Sequence, residues 1–416
     1  MKLRLPTFWK HVITVLGGAL GAQALPLLAA PLITRMCTPA EMGAFSLWLA
    51  VVAVAAIAAT LRMETAMILD HEAEQQRTCF GLVFYTATVT AVLVTGLAIA
   101  AHLADVRALR QLSWPALLTV GVGTWLTANM QTTLAYATSH NAFGKAARAK
   151  VWGAGTIAAA QLLLLAGGAD ALGLLAGQLI GLATGLLVAR RLLNPPRARV
   201  GLTLGPDARA YLVRHRKFWN YALPSNLLNS LVGQLPLFLI GMRHGALAAG
   251  LFALTQRVLA APISLLAASV LEVFKRESVH EFQTVGNCKQ AYRYTFKVLI
   301  LLGLLPSLIL LAFSPQLFAW VFGPAWREAG ELAQILAPLY FLNFIASPLS
   351  YVFFVTGKQN VDMWWQVTLF TMTVIVFIMP GSLHDNVLWY AVGYSTLYLV
   401  YLHMSWQCSQ NRLAPA

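Results

Sequence analysis

The amino-acid sequence predicts an all-α integral membrane protein with about twelve transmembrane helices. Of its 416 residues, 58% are hydrophobic and only 11% are charged, whereas about a quarter of the residues in a soluble domain are charged. Apolar runs of about 20 residues, enough for one helix to cross the hydrocarbon core, recur along the chain. A soluble globule of this length could not bury so much apolar surface.

Helices are predicted rather than the strands of a membrane barrel. The short alternating segments of such barrels are not seen in the sequence, and a spanning helix satisfies all its own backbone hydrogen-bonding groups. The predicted spans are 12–34, 43–66, 79–102, 114–138, 151–167, 171–192, 219–242, 247–274, 296–313, 331–356, 363–380 and 386–407.

Basic residues predict the orientation of the chain, because cytoplasmic loops retain Lys and Arg. If the N-terminus is cytoplasmic, the outer loops contain few of the 29 basic residues. Those outer residues are Arg35, Arg107, Arg110, Arg243 and Arg327. Both termini are therefore predicted to be cytoplasmic. The net charge of +14 reflects this topology and an attraction to anionic membrane lipids, and nucleic-acid binding is not predicted.

Similar segments recur about half a chain apart. "FWKHVITVLGGALGAQALP" from Phe8 resembles "FWNYALPSNLLNSLVGQLP" from Phe218, and "MGAFSLWLAV" from Met42 resembles "AGLFALTQRV" from Ala249. These pairs predict a parallel repeat, with an N-terminal six-helix lobe over 1–193, a basic cytoplasmic linker over 194–217 and a C-terminal six-helix lobe over 218–416. Substrate sites in transporters of this type lie between the repeats.

Polar side chains recur at helical spacing within three of the predicted spans. The rows are Asn226, Asn229, Ser230, Gly233 and Gln234; Thr124, Thr127, Gln131 and Thr138; and Tyr340, Asn343, Ser347 and Ser350. Polar groups inside a membrane are costly unless they face a partner or water. Two interpretations therefore stay open, hydrogen bonding between helices or the walls of a hydrated cavity.

Arg257 lies about 11 residues, or roughly 16 Å, inside the span 247–274, near the middle of the bilayer. A guanidinium at this depth requires an anion, carbonyl groups or water, and its planar fork suits phosphate or pyrophosphate. An internal ion pair with Glu64 or another partner is the alternative.

Glu64 and Glu272 are the carboxylates placed within predicted helices, each near the cytoplasmic surface. They are candidates for proton coupling, and a static ion pair that holds helix ends together is the alternative. In an ideal helix Arg62 and Glu64 lie about 200° apart, so they are not expected to face the same surface. Glu272 lies about 60° around the helix from Arg257.

No catalytic or metal-binding motif is legible. The cysteines, Cys37, Cys79, Cys288 and Cys408, show neither CxxC nor Cys/His spacing, and the sequence contains no Walker loop, HExxH or GxSxG. The predicted outer loops are too short to hold a catalytic domain. We therefore expect no metal, no cofactor and no enzymatic activity.

Three motifs resemble those of polysaccharide-biosynthesis transporters of the MOP exporter superfamily, in particular Wzx-type O-antigen flippases. The segments "LITRMCTPAEMGAFSL", "LRMETAMIL" and "GLFALTQRVLAAPISLLAASVLEVF" begin at Leu32, Leu61 and Gly250. The matching positions are Thr34, Arg35, Thr38, Pro39 and Gly43; Arg62, Glu64 and Ala66; and Gly250, Leu254, Arg257 and Pro262.

The resemblance implies a flippase that moves an undecaprenyl (isoprenoid) pyrophosphate-linked oligosaccharide from the cytoplasmic to the periplasmic leaflet of a bacterial inner membrane by alternating access. It implies two lobes arranged in a V, and coupling to a proton or sodium gradient. Arg257 would bind the pyrophosphate, Arg62 and Arg35 would be secondary cationic sites, and the polar rows would line the sugar path. Membrane lipids and other polysaccharide-assembly membrane proteins are the expected partners.

Two other functions remain as alternatives. A MATE-like drug or cation antiporter has the same superfold but requires a carboxylate near the middle of the membrane. A membrane glycosyl polymerase or ligase requires a large outer loop, whereas the longest outer segment, "SPQLFAWVFGPAWREAGEL" from Ser314, is short.

Overall fold

The computed structural model describes residues 21, 24–70, 72–106, 112–196, 205–262 and 266–410, and the regular structure of these residues is entirely helical. The predicted all-α fold is therefore confirmed. Residues 12–20, 22 and 23 of the span 12–34, the Phe8 end of the predicted repeat, Arg107 and Arg110 lie outside the described residues.

Thirteen helices of nine or more residues are described. In chain order they are α1 (Ala24–Met36), α2 (Pro39–Thr60), α3 (Ala73–Leu103), α4 (Trp114–Ser139), α5 (Phe143–Ala166), α6 (Asp170–Leu193), α7 (Pro206–Arg214), α8 (Leu223–Pro262), α9 (Ala268–Val285), α10 (Lys289–Phe322), α11 (Arg327–Leu349), α12 (Gln359–Ile378) and α13 (Leu383–Gln410). Shorter helical turns lie at Met63–Ala66, Met67–Leu69, Phe218–Ala222, Pro324–Trp326 and Val352–Val355.

Seven helical stretches of the described chain are long and apolar enough to cross a membrane. They are Pro39–Thr60, Ala73–Leu103, Phe143–Ala166, Asp170–Leu193, Phe218–Ala261, Lys289–Phe322 and Pro324–Val355. The helices Ala24–Met36 and Trp364–Ile378 are apolar but shorter. The chain is therefore a multi-pass membrane protein, and the less apolar α4 and α13 occupy two of the other predicted spans.

The largest differences from the predicted boundaries are in the C-terminal half. The span 247–274 comprises the second half of α8 and the beginning of α9, with 263–265 between them outside the described residues. The span 296–313 is part of the longer α10, Lys289–Phe322. The helix extends beyond the predicted span at both ends, through polar residues from Lys289 at its start and through the mostly apolar segment 314–322 at its end.

The threonine and proline of the first motif start α2. The Thr38 backbone N–H donates to Glu41 Oε2 at 2.7 Å, and the Glu41 N–H donates back to Thr38 Oγ1 at 3.3 Å. This capping box satisfies amide groups that have no partner within the helix. Pro39 at the first helical position requires no hydrogen bond and has a backbone angle suited to the helix. The motif therefore specifies a helix start.

Gly245 divides α8 into two helices. Its φ of 91° and ψ of 178° lie in a region accessible in practice to glycine alone. The predicted separation between the spans 219–242 and 247–274 therefore occurs at a single residue.

A row of glycines along α6, which includes Gly177 and Gly181, brings this helix close to α5. A Cβ atom at Gly177 would lie 2.7 Å from the Gln161 backbone nitrogen, and one at Gly181 would lie 2.7 Å from that of Ile157. Real Cβ atoms essentially never approach so closely. The four-residue spacing of these glycines is thus a helix-packing feature, as expected for small residues in membrane helices.

The described chain divides into two compact units. The first contains 1–234 and 241–249, and the second contains 235–240 and 250–416. In the first unit, a core cluster around Met63, Phe80 and Tyr211 joins the turn that follows α2 to the helices α3 and α7. In the second, a core cluster joins α9 to α13 around Phe274 and Phe353. The predicted linker over 194–217 stays a prediction, because 197–204 lie outside the described residues.

Candidate functional site

The second motif lies where α2 ends. Leu61 and Arg62 both adopt left-handed backbone conformations, with φ of 49° and 60°, which are unfavourable for residues other than glycine. The reversal stops α2 at Thr60 and begins the turn Met63–Ala66. The predicted continuous helix over 43–66 is therefore wrong at this point.

This break brings Arg62 onto Glu64. The Arg62 Nη1 atom lies 2.9 Å from Glu64 Oε1, although an unbroken helix would have separated the two side chains by about 200°. The expectation that they face different surfaces is wrong, because it assumed helical geometry at residues that are not helical. Glu64 thus pairs with its neighbour Arg62.

The Arg62–Glu64 pair is buried and only partly hydrogen-bonded. The side chain of Glu64 is 8% exposed and that of Arg62 is 25% exposed. Thr65 Oγ1 donates to Glu64 Oε1 at 3.4 Å. Among the described residues, Arg62 Nε and Glu64 Oε2 have no hydrogen-bond partner. A half-satisfied buried ion pair is energetically costly.

Asp70 forms a second buried cluster that the sequence did not reveal. It is 4% exposed, and its Oδ2 atom accepts a 2.6 Å hydrogen bond from Tyr211 Oη on α7. His215 Nε2 lies 3.4 Å from the same oxygen, and Gln76 Nε2 donates to the Asp70 carbonyl at 2.9 Å. Burial, and then the neighbouring Cys79 and Asp70, raise the pKa of Tyr211, so the phenol stays a donor at neutral pH.

Arg190, near the end of the predicted span 171–192, is a second residue that no sequence motif marks. Its Nη2 atom donates to Asn129 Oδ1 at 3.1 Å. Asn129 is 3% exposed and its amide nitrogen donates to the Trp125 carbonyl. Within the described residues the half-buried guanidinium of Arg190 has no carboxylate partner. An excess of positive charge therefore extends into the α4–α6 packing of the first unit.

Arg257 lies in the second half of α8, and its side chain is exposed. The preceding residues fix this half within the second unit. Thr255 Oγ1 donates to the Ala329 carbonyl at 2.7 Å, and Gln256 hydrogen-bonds to Tyr340. This half of the helix is therefore anchored to α11, including the N-terminal end of α11.

The predicted polar rows occupy partly exposed positions. Asn226, Gln234, Gln131 and Asn343 are half-buried and Asn229 is exposed. Asn226 Nδ2 donates to the Ala222 carbonyl one turn back at 2.8 Å. Among the described residues, none of these five side chains hydrogen-bonds to another helix. Accessible amide groups of this kind can bind hydroxyl groups, and their role in a substrate path stays a prediction.

Two predicted residues lie at exposed positions. The side chain of Arg35, just before the cap of α2, is exposed. Glu272 is 70% exposed in its side chain and pairs with Lys275 at 2.8 Å; an exposed pair of this spacing contributes little stability. The predicted 60° relation between Glu272 and Arg257 is untested, because 263–265 lie outside the described residues.

The described residues contain no group of three or more His, Cys, Asp or Glu side chains that could hold a metal ion.

The helices and their buried charges define a class, that of the MOP-superfamily transporter fold. The TM-score to the lipid II flippase MurJ in an inward closed conformation is 0.73, at 11% identity over 95% of this chain and 87% of that one. The TM-score to an inward-facing multidrug MATE transporter is 0.67, at 16% identity over 92% of this chain and 93% of that one. The TM-score to a MOP-superfamily transporter from Pyrococcus furiosus is 0.59, at 15% identity over 94% of this chain and 93% of that one.

Residues 32–331 match the family described as polysaccharide biosynthesis protein, and the chain belongs to this family. The matched range includes all three motifs, so the resemblance seen in the sequence is confirmed for the family, and the solved structures show the same fold. A comparison with curated protein sequences gives no match.

The different surroundings of Glu64 and Glu272 predict different effects of neutralisation on stability. Glu64→Gln leaves the partly buried Arg62 without its counter-charge, which costs about 2 kcal/mol, and should lower the melting temperature of the purified protein. Glu272→Gln is the matched control and should leave it unchanged. Removing both charges with Arg62→Gln/Glu64→Gln should recover part of the loss. Equal melting temperatures for Glu64→Gln and the unsubstituted protein would contradict this account of the pair.

Proposed function

We propose that this protein is a flippase that moves an undecaprenyl (isoprenoid) pyrophosphate-linked oligosaccharide from the cytoplasmic to the periplasmic leaflet of a bacterial inner membrane. The observation that carries the proposal is membership of a polysaccharide-biosynthesis family in a chain with a MOP-transporter fold. Alternating access would move the charged head while the lipid tail stays in the membrane. No covalent chemistry is required, so the proposed role is transport and not catalysis.

The positive charge of the spanning helices supports an anionic substrate. Arg257 lies at an exposed position on an apolar helix, where a charge is costly unless it faces water, an anion or another polar group. Its planar donors match the oxygens of pyrophosphate. Arg62 and Arg35 are secondary sites in this proposal.

The half-exposed amides support a saccharide as the remainder of the substrate. Sugar hydroxyls both donate and accept hydrogen bonds, and so do the side-chain amides of Asn and Gln. In this proposal the sugar path is lined by Gln131 on α4, Asn343 on α11 and the amides of α8. Those amides are Asn226, Asn229 and Gln234.

A drug or cation antiporter is the rival within the same fold, since MATE transporters resemble the chain as well. Such a function requires a carboxylate available to a cation. Of the two candidates placed within helices, Glu64 is paired with Arg62 and Glu272 with Lys275. This pairing disfavours the antiporter. A glycosyl polymerase or ligase is the more distant rival.

The proposed pyrophosphate role predicts that Arg257→Ala reduces surface polysaccharide at least about tenfold in a strain lacking its own flippase, because one charge-assisted contact to phosphate is lost. Arg257→Lys keeps the positive charge but not the planar guanidinium, so it should give an intermediate amount of surface polysaccharide. Arg276→Ala, which removes an exposed arginine from α9, is the control and should behave as the unsubstituted protein.

Full activity of both Arg257 variants at matched expression would contradict the pyrophosphate role. Drug-resistance profiles in a pump-deficient host distinguish the antiporter from the flippase. An antiporter would confer resistance to cationic compounds whether or not polysaccharide is made.

We further propose that Glu64, and not Glu272, couples transport to a proton gradient. Protonation of Glu64 would release Arg62 and shift the balance between two arrangements of the helix end. The burial of Glu64 and its unpaired Oε2 support this role, whereas Glu272 is a solvated surface residue. A static ion pair, and coupling to sodium, are the competing possibilities.

Reconstitution in proteoliposomes tests this coupling. Glu64→Gln should abolish acceleration of lipid transfer by an imposed pH gradient while exchange without a gradient continues, and Glu272→Gln should respond normally. A normal response in both variants would show that neither carboxylate couples protons. A response to a sodium gradient alone would favour sodium.

A further inference from the structure

Helix α7 has two faces with different surroundings. Tyr211 is 5% exposed and His215, just after the helix, is 9% exposed, and both contact Asp70. The opposite face is exposed, with Val213 at 68%. This nine-residue helix is thus fixed on its inner side and available on its outer side.

The exposed side has an apolar centre with an arginine on each flank. At about 100° per residue, the order around the helix is Arg209, Val213, Ala210 and Arg214, over an arc of about 140°. All four side chains are exposed. Arginines beside an apolar strip are typical of helices at a membrane surface, since their stems lie along apolar surface while the charges reach the headgroups.

The residues after α7 extend the same surface. Arg216 and Lys217 are exposed, Trp219 is 41% exposed and Tyr221 is 74% exposed. Trp219 Nε1 donates to the Leu212 carbonyl at 3.1 Å, which holds the indole ring beside α7. Trp and Tyr favour the interface between headgroups and acyl chains.

The positive charges of this surface are not neutralised within the described chain. None of Arg209, Arg214, Arg216 and Lys217 pairs with a carboxylate there, and Asp207 is the sole acidic residue of α7. We propose that the α7 surface, defined as residues 209, 210, 213, 214, 216, 217, 219 and 221, binds the headgroups of anionic phospholipids of the surrounding membrane. The buried contacts of Tyr211 and His215 with Asp70 keep the surface turned outward.

Two features favour a lipid over a soluble partner. The apolar and aromatic side chains would lie among acyl chains, so no exposed patch of Val213, Trp219 and Tyr221 would face water. The four cations would match phosphate groups, each basic residue raising the affinity for an anionic surface about fivefold. This inference does not depend on the identity of the transported substrate.

Native mass spectrometry of the full-length protein tests the proposal, with phosphatidylglycerol and phosphatidylcholine offered together in detergent. The unsubstituted protein should retain phosphatidylglycerol preferentially. Arg209→Gln/Arg214→Gln/Arg216→Gln should reduce this preference at least about tenfold. The control Lys145→Gln/Arg148→Gln/Lys150→Gln removes three exposed cations at the start of α5 and should change it less than about twofold.

Val213→Glu provides a second test that removes no cation and substitutes an exposed residue, so the fold should be kept. It should weaken phosphatidylglycerol retention as well, because the apolar centre would no longer enter the interface. Equal losses in the two triple variants, or unchanged retention in the α7 triple variant or in Val213→Glu, would overturn the proposal. A soluble partner would be indicated if the protein showed no lipid preference and if cytosolic extract alone protected the α7 surface from trypsin. That result would also overturn the proposal.

Discussion

A polar group inside the hydrocarbon layer has no water to bond, so most buried donors and acceptors of this chain find partners within it. These bonds also determine which helices pack together. Gln161 Nε2 donates to the Leu174 carbonyl at 3.0 Å and joins α5 to α6. Asn386 Nδ2 donates to the Val376 carbonyl at 2.9 Å and joins α13 to α12, while Thr255 joins α8 to α11. The glycine row of α6 belongs to the same arrangement, because it lets α5 approach closely enough for the Gln161 bond.

Several charged residues on which the proposed function depends lie within these helices or at their ends. Arg62 and Glu64 are held together by a strained turn and keep unpaired polar atoms. The half-buried Arg190 is bonded to an amide, and Arg257 lies at an exposed position on an apolar helix. Positive charge therefore exceeds negative charge within the described spanning helices. Such an excess favours an anionic substrate over a cationic one, in agreement with a family of polysaccharide biosynthesis proteins.

Hydropathy and short motifs were enough to predict the helical class and the family, because each depends on local composition or spacing. The broken end of α2 could not be predicted in this way, since nothing in "TLRMET" distinguishes left-handed Leu61 and Arg62 from helical residues. Asp70 lies between two predicted spans, and its partner Tyr211 is 141 positions away. Arg190 lies near the end of the predicted span 171–192, and its partner Asn129 is 61 positions away. Contacts between distant segments leave no periodic signal in one sequence.

The most direct test of the account is a transfer assay with the purified protein in liposomes that contain a fluorescent isoprenyl pyrophosphate-linked saccharide. Loss of fluorescence to a membrane-impermeant quencher reports movement between leaflets, and a cationic dye loaded in parallel reports antiport. We predict protein-dependent transfer of the saccharide lipid, inhibited by soluble pyrophosphate analogues, with no movement of the dye. Dye movement without lipid transfer would contradict the flippase and favour the antiporter.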